Sequence, residues 1–140
     1  MKILVAVDGS AYTKRMLAYL AAHDEWLGPK HQYTIVNVVP AVPTRAAAVF
    51  DKATLQAYYD DESERVFKPV RTFLKRHEVD PEYAAKVGNA AEVISKMADK
   101  GKYDLLVMGS RGMGSIGNLV LGSVATKVLG QCSTPVLLIR

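Results

Sequence analysis

Short unbroken apolar runs alternate along this chain with longer stretches whose apolar residues recur every three or four positions. Ile3 to Val7 is the first run, and an all-apolar segment of that length predicts a central parallel strand covered on both faces. It stops at Asp8-Gly9-Ser10, where glycine permits a turn and Ser10 is placed to cap a helix. The helical spacing of Met16, Leu17, Leu20 and Ala21 predicts a helix from about Ala11 to Trp26, stopped by Gly28-Pro29. Gln32 to Val39 alternates and then runs apolar through Ile35, Val36, Val38 and Val39, a second strand ended by Pro40. The 11 residues from Pro40 to Phe50 show no period. A segment of that length at a strand's C-terminal end is either a cover over a site or a plain connection.

The second half repeats the scheme. Leu55, Tyr59, Val66, Val70, Phe73 and Leu74 predict a long helix over Asp51 to His77. Pro69 within it implies either a bend or a junction of two helices, because proline removes a backbone donor and crowds the preceding turn. Tyr58 and Tyr59 are adjacent and point to different sides of that helix. Tyr83 to Val87 is a short third strand, and Asn89 caps a helix with Val93, Ile94 and Met97 inward that ends near Lys100-Gly101. Leu105 to Met108 is the fourth strand and Pro135 to Ile139 the fifth. Strands alternating with helices predict an α/β domain, a parallel sheet with right-handed crossovers and helices on both faces, over residues 1–140 as a single domain.

Candidate chemistry concentrates between the fourth strand and the helix that runs to about Gln131, on which Val124, Val128 and Leu129 share a side. Gly109, Gly112, Gly114, Gly117 and Gly122 lie there with serines between them. Glycines let the backbone approach an anion closely, and backbone N–H groups together with a helix N-terminus supply partial positive charge. The segment lacks the G-x-x-x-x-G-K-[ST] of a P-loop, and no G-x-G-x-x-G opens a first βα unit. Gly122 either closes the loop or lies within a longer helix starting at Asn118. In doubly wound sheets the ligand sits at the strands' C-terminal edge where the winding reverses. The Asp8 turn and the Gly109 loop face each other there if the first and fourth strands are neighbours. Asp8 serves either to cap its own turn or to accept from ligand hydroxyls, and it is also able to hold Mg²⁺ through water.

Four stretches resemble the ATP-binding class of the universal stress protein family: Ile3-Leu4-Val5-Ala6-Val7-Asp8-Gly9-Ser10, Asp104 to Gly112, the spacing Gly109-x2-Gly112-x9-Gly122-Ser123, and Ser133-Thr134-Pro135-Val136-Leu137-Leu138-Ile139. Together they span the chain from end to end. The resemblance implies a three-layer doubly wound sheet of five parallel strands in the order 3-2-1-4-5, the adenine nucleotide alpha hydrolase-like arrangement. It implies that Asp8 and a backbone group near Val38 contact ribose and adenine, and that Gly109, Arg111, Gly112, Gly122 and Ser123 surround the phosphates. Ala6, Met108 and Val124 complete the implied nucleotide-binding set. ATP, AMP or ADP with Mg²⁺ is the implied ligand, and a homodimer paired through Pro135 to Ile139 the implied assembly. Arg111 stands at a position that varies in the family and is equally readable as a solvated loop residue. Ser123 is both a candidate helix cap and a candidate phosphate contact. A stress-signalling binding module is the reading preferred over a slow ATPase or a phosphoryl- or nucleotidyl-transfer enzyme, because no catalytic base stands near the loop and the S-G-G-x-D-S loop of the related ATP pyrophosphatases is missing.

Composition narrows this little further. The chain has 140 residues, long enough to bury roughly two-thirds of its unfolded surface in one core. Its net charge of +4 comes from basic residues interleaved with 14 acidic ones, a mixed solvated surface with no specific nucleic-acid signal. The single Cys132 excludes an internal disulfide, suits a reducing compartment, and reads as a buried structural thiol. No apolar stretch nears the roughly 20 residues that span a bilayer, so a cytoplasmic location is expected. A receiver-like signalling domain is set aside, since Asp8 has no acidic neighbour and the third strand ends Lys86-Val87-Gly88. His23, His31 and His77 have no metal-like spacing and are expected at the surface.

Overall fold

The computed structural model describes residues 1–115 and 117–140. The strands are β1 (Lys2–Ala6), β2 (Gln32–Val39), β3 (Glu82–Val87), β4 (Leu105–Gly109) and β5 (Val136–Ile139). The helices are α1 (Ala11–Ala21), α2 (Thr44–Ala47), α3 (Lys52–Arg76), α4 (Ala90–Lys100) and α5 (Ser123–Gln131). All strand pairs are parallel, in the order β3-β2-β1-β4-β5. The chain winds outward in one direction from β1 to β3, returns, and winds in the other through β4 to β5, so the winding reverses between β1 and β4.

The unbroken apolar runs follow from this layering. Successive side chains of β1 go to opposite faces. Ile3, Val5 and Val7 join Ile35, Val107 and the helical residues Met16, Leu20, Phe67, Val70 and Leu74 on one side. Leu4 joins Val36, Leu106, Met108, Ile94, Ala98 and Val128 on the other. With a core on each face, neither parity of a central strand has anywhere polar to point.

Several local readings differ from the sequence expectation. Helix α1 ends at Ala21 rather than near Trp26. The turn beyond it is held by a tertiary contact. The Tyr33 hydroxyl donates to the Trp26 carbonyl at 2.8 Å and accepts from the Gly28 N–H at 2.9 Å. Trp26 packs against the core from that turn. Helix α3 runs unbroken through Pro69, which lies on its exposed side where water can take the orphaned Arg65 carbonyl. Its buried residues are Ser63, Phe67, Val70 and Leu74. Asp51 caps it through Thr54 N at 2.7 Å, and Asn89 caps α4 through Glu92 N at 3.1 Å. On α5 Val128 is buried, but Leu129 points outward. The aperiodic segment contains the one-turn helix α2, and its start is pinned where Val42 N donates to the Tyr59 hydroxyl at 2.9 Å. Cys132 is half-buried, with its thiol near the Asp99 carboxylate and the Thr134 carbonyl. Its pKa is raised, chiefly by burial.

Candidate functional site

Because β1 and β4 are neighbours, in register from Ile3 against Leu105 to Ala6 against Met108, their C-terminal ends open into the same space. The turn after β1 is short. Asp8 Oδ1 accepts from Ser10 N at 2.9 Å and from the Thr13 hydroxyl at 3.0 Å, and Asp8 N donates to that hydroxyl at 3.1 Å. This is an Asx turn reinforced by the first turn of α1. The exit from β4 is long, and it is closed at its base where Gly122 N donates to Ser110 O at 2.7 Å. A loop whose ends meet in this way is a compact surface loop rather than a slack one.

The two exits touch. Met113 N donates to Asp8 Oδ2 at 3.0 Å, so one carboxylate holds its own turn with one oxygen and the glycine-rich loop with the other. Gly112 is required by that approach, since a Cβ there would collide with Asp8 Oδ2. Gly122 suits the closure of the loop, where a side chain would be crowded. Its Cβ would stand 3.1 Å from Arg111 Cα and 3.4 Å from Ser110 O. The spacing of these glycines therefore records two close backbone approaches, one to a carboxylate and one within the loop.

Gly122 is also the N-cap of α5, which settles the choice between loop closure and helix interior. Glycine offers no side chain, and no side chain caps this helix. Its first-turn N–H groups and the positive end of its dipole thus stay open to an anion. Ser123, Val124 and Ala125, the residues of that turn, all face the same cavity.

The cavity has a volume of about 610 Å³, within the range of small-molecule sites. Every residue singled out from the sequence lines it: Ala6, Asp8, Val38, Met108, Gly109, Arg111, Gly112, Gly122, Ser123 and Val124. The structure adds Thr13, Asn37, Glu62, Val66 and Ile94. Asn37 had a visible signal, a lone polar residue inside the apolar run of β2. It is 5% exposed, its amide donates to Val7 O at 2.9 Å, and its Oδ1 has no partner. Ser10 Oγ and Ser110 Oγ, beside the same two exits, are likewise buried and unpartnered. Glu62 had a weaker signal, a charge at helical spacing between Tyr59 and Val66 on the inward side of α3.

Charge on the cavity wall is sparse. Among the described lining residues Arg111 is the one cation, against the carboxylates of Asp8 and Glu62. Glu62 already pairs with Arg65 at 3.3 Å. Among the described residues no cluster of three or more His, Cys, Asp or Glu is placed to hold a metal ion. With three protein donors on it, Asp8 keeps at most one lone-pair direction for a ligand or a metal-bound water. Arg111 Nη1 donates to the Tyr12 hydroxyl at 3.2 Å, and this contact lowers the Tyr12 pKa.

A model of the universal stress protein family matches residues 1–140. The chain is 34% identical over 139 residues to a universal stress protein of Thermus aquaticus from the QAH/OAS sulfhydrylase 3′ region, a match spanning 99% of this chain and 97% of that protein. Its fold is similar to that of universal stress protein UspA from Lactobacillus plantarum, with a TM-score of 0.76 and 22% identity over 100% of this chain and 97% of the other. It is also similar to the universal stress protein from Archaeoglobus fulgidus in complex with dAMP, with a TM-score of 0.69 and 20% identity over 100% and 98% of the two chains. Further proteins of this family with the same fold have been solved with AMP bound and in complex with cAMP.

Proposed function

This chain belongs to the universal stress protein family, and on that premise we propose that it is an ATP-binding module of stress signalling that acts as a homodimer in the cytoplasm. The observation that carries the nucleotide reading is the junction of the Asp8 turn, the glycine-rich loop and the uncapped start of α5 around one cavity. Family members solved with dAMP, AMP and cAMP support an adenine nucleotide as the ligand class.

In this reading the base lies toward Val38, where the free backbone groups of a strand end discriminate its edge. Asp8 offers its remaining lone pair on Oδ2 to a ribose hydroxyl. The phosphates lie against the N–H groups of the glycine-rich loop and of Ser123 and Val124, with Arg111 as the cation beside them. Mg²⁺, when it accompanies the nucleotide, offsets phosphate charge, and Asp8 reaches it only through water. The loop is built to hold an anion rather than to activate a nucleophile. Ser10 N, Met113 N and the Thr13 hydroxyl occupy most of the Asp8 carboxylate, which favours binding over turnover. A hydrolysis rate near about 1 s⁻¹ or above would instead mark an ordinary enzyme.

Denaturing the purified protein and identifying the released nucleotide by chromatography tests this reading, together with titration of wild type and Gly122→Val. Adenine nucleotide from wild type, with binding weakened in the variant by crowding of the loop base against Arg111 and Ser110, is the expected result. No released nucleotide and no titratable binding in wild type would overturn it.

A further inference from the structure

Tyr12 belongs to the first turn of α1, does not line the cavity, and yet holds the one cation that does. The start of α1 at Tyr12 is seated against the end of β4, where the missing side chain of Gly109 makes room. A Cβ on Gly109 would lie 2.9 Å from Tyr12 Cβ. Arg111 reaches back from the loop to this ring. Its Nη1 donates to the hydroxyl at 3.2 Å, and its Cζ lies 5.8 Å from the ring centroid. Arg15, on the same helix as Tyr12, approaches the ring at 5.2 Å.

From this arrangement we propose that Tyr12 is a positioning residue for the anion site, presenting the Arg111 guanidinium to the ligand's phosphate. The proposal rests on the nucleotide reading above. The physical reason is the freedom of arginine. A long side chain on an exposed loop loses rotamer entropy when it closes on an anion, and that loss weakens binding. A guanidinium carries five N–H donors in a planar fork. Tyr12 takes one of them from behind, leaving the others directed to the cavity that Arg111 lines. The ring face adds a second contact of cation–π type to the same guanidinium. Gly109 thereby acquires a role apart from the ligand, as the clearance in which the tyrosine sits.

Tyr12→Phe tests this while keeping the ring, the Cβ beside Gly109 and the ring's contact with the guanidinium. AMP and adenosine are titrated against wild type, Tyr12→Phe, Arg111→Gln and the double variant. The expected result is a loss of AMP affinity of roughly three- to tenfold in Tyr12→Phe with adenosine affinity unchanged. In the Arg111→Gln background the tyrosine substitution should then have no further effect. Equal weakening of AMP and adenosine, which a purely structural role would produce, overturns the proposal, as does an unchanged ratio of the two affinities. If wild type binds neither compound, the nucleotide reading itself fails and carries this proposal with it. AMP binding by wild type with an unaltered ratio in the variant sinks the tyrosine assignment alone.

Discussion

At one edge of the sheet β3 carries Glu82, Tyr83 and Lys86 and leaves most of its length exposed; at the other, β5 reads Val136-Leu137-Leu138-Ile139 without a charge. Both strands have a free row of backbone donors and acceptors, the usual template for unwanted pairing. On β3 that template is blunted by charge, with Arg71 of α3 reaching over the Tyr83 ring at 5.1 Å. On β5 the side chains are taken up instead. Leu137 and Ile139 pack into one core, and Val136 and Leu138 against the other. An edge that is apolar on both faces and bare along its backbone suits pairing with a second copy, and this is the physical support for the proposed dimer through Pro135 to Ile139.

The hydrogen-bond phase of β5 supplies the sharpest way to break that contrast. Leu106 N donates to Pro135 O at 2.9 Å and Ser110 N to Ile139 O at 2.8 Å. In a parallel ladder the odd-numbered residues of β5 therefore face β4, and Val136 and Leu138 turn their backbone groups outward. Leu138→Pro removes an outward N–H and leaves the bonds to β4 in place. We expect it to convert a dimer to a monomer in sedimentation while far-ultraviolet circular dichroism stays native. A wild type that sediments as a monomer at micromolar concentration would refute the dimer outright.

A smaller effect is expected at the entry to β5. The Asp99 carboxylate of α4 accepts from Ser133 N, from Thr134 N at 2.9 Å and from the Thr134 hydroxyl at 2.8 Å, fixing the chain as it turns into the edge. These donors lower the Asp99 pKa, the Ser133 N–H foremost. A carboxyl whose folded pKa lies below its unfolded value adds stability above the unfolded pKa and loses it as pH falls through the folded one. Asp99→Asn should accordingly unfold at a lower temperature than wild type at pH 7. The gap should close once the pH is taken below the ordinary carboxylate range. Thermal melts of the two proteins across that range check it, and a gap independent of pH would contradict the assignment.

The smallest effect is expected at the opposite edge. Lys86→Val would remove a charge from β3 without touching a core. If charge is what keeps this edge unpaired, the variant should form species larger than the wild-type assembly at high concentration, seen as concentration-dependent light scattering. An unchanged scattering profile would mean that the Lys86 charge is not what keeps this edge unpaired.

The strands were legible because both faces of the sheet are covered, and a continuous apolar run cannot be anything but buried. The helix cap at Asn89 was legible for a local reason, since the bond spans only three residues. Where the sequence misleads, the deciding contact is distant. Nothing in residues 22–27 announces that α1 ends at Ala21, because the turn is held by the hydroxyl of Tyr33. Pro69 reads as a break, yet its side of α3 faces water and the helix continues.

The site divides in the same way. Sequence alone determined the alternating α/β pattern and the glycine spacing, because steric demands on glycine and on buried strands are written residue by residue, while the residues at the strand ends came from the resemblance to the family. Only the tertiary structure decided that Asp8 spends its carboxylate across the gap on Met113, that Asn37 and Glu62 stand on the cavity wall, and that Tyr12 backs Arg111. Each of those joins residues far apart in the chain. Their partners are set by how strands stack and helices seat, and no local pattern encodes that.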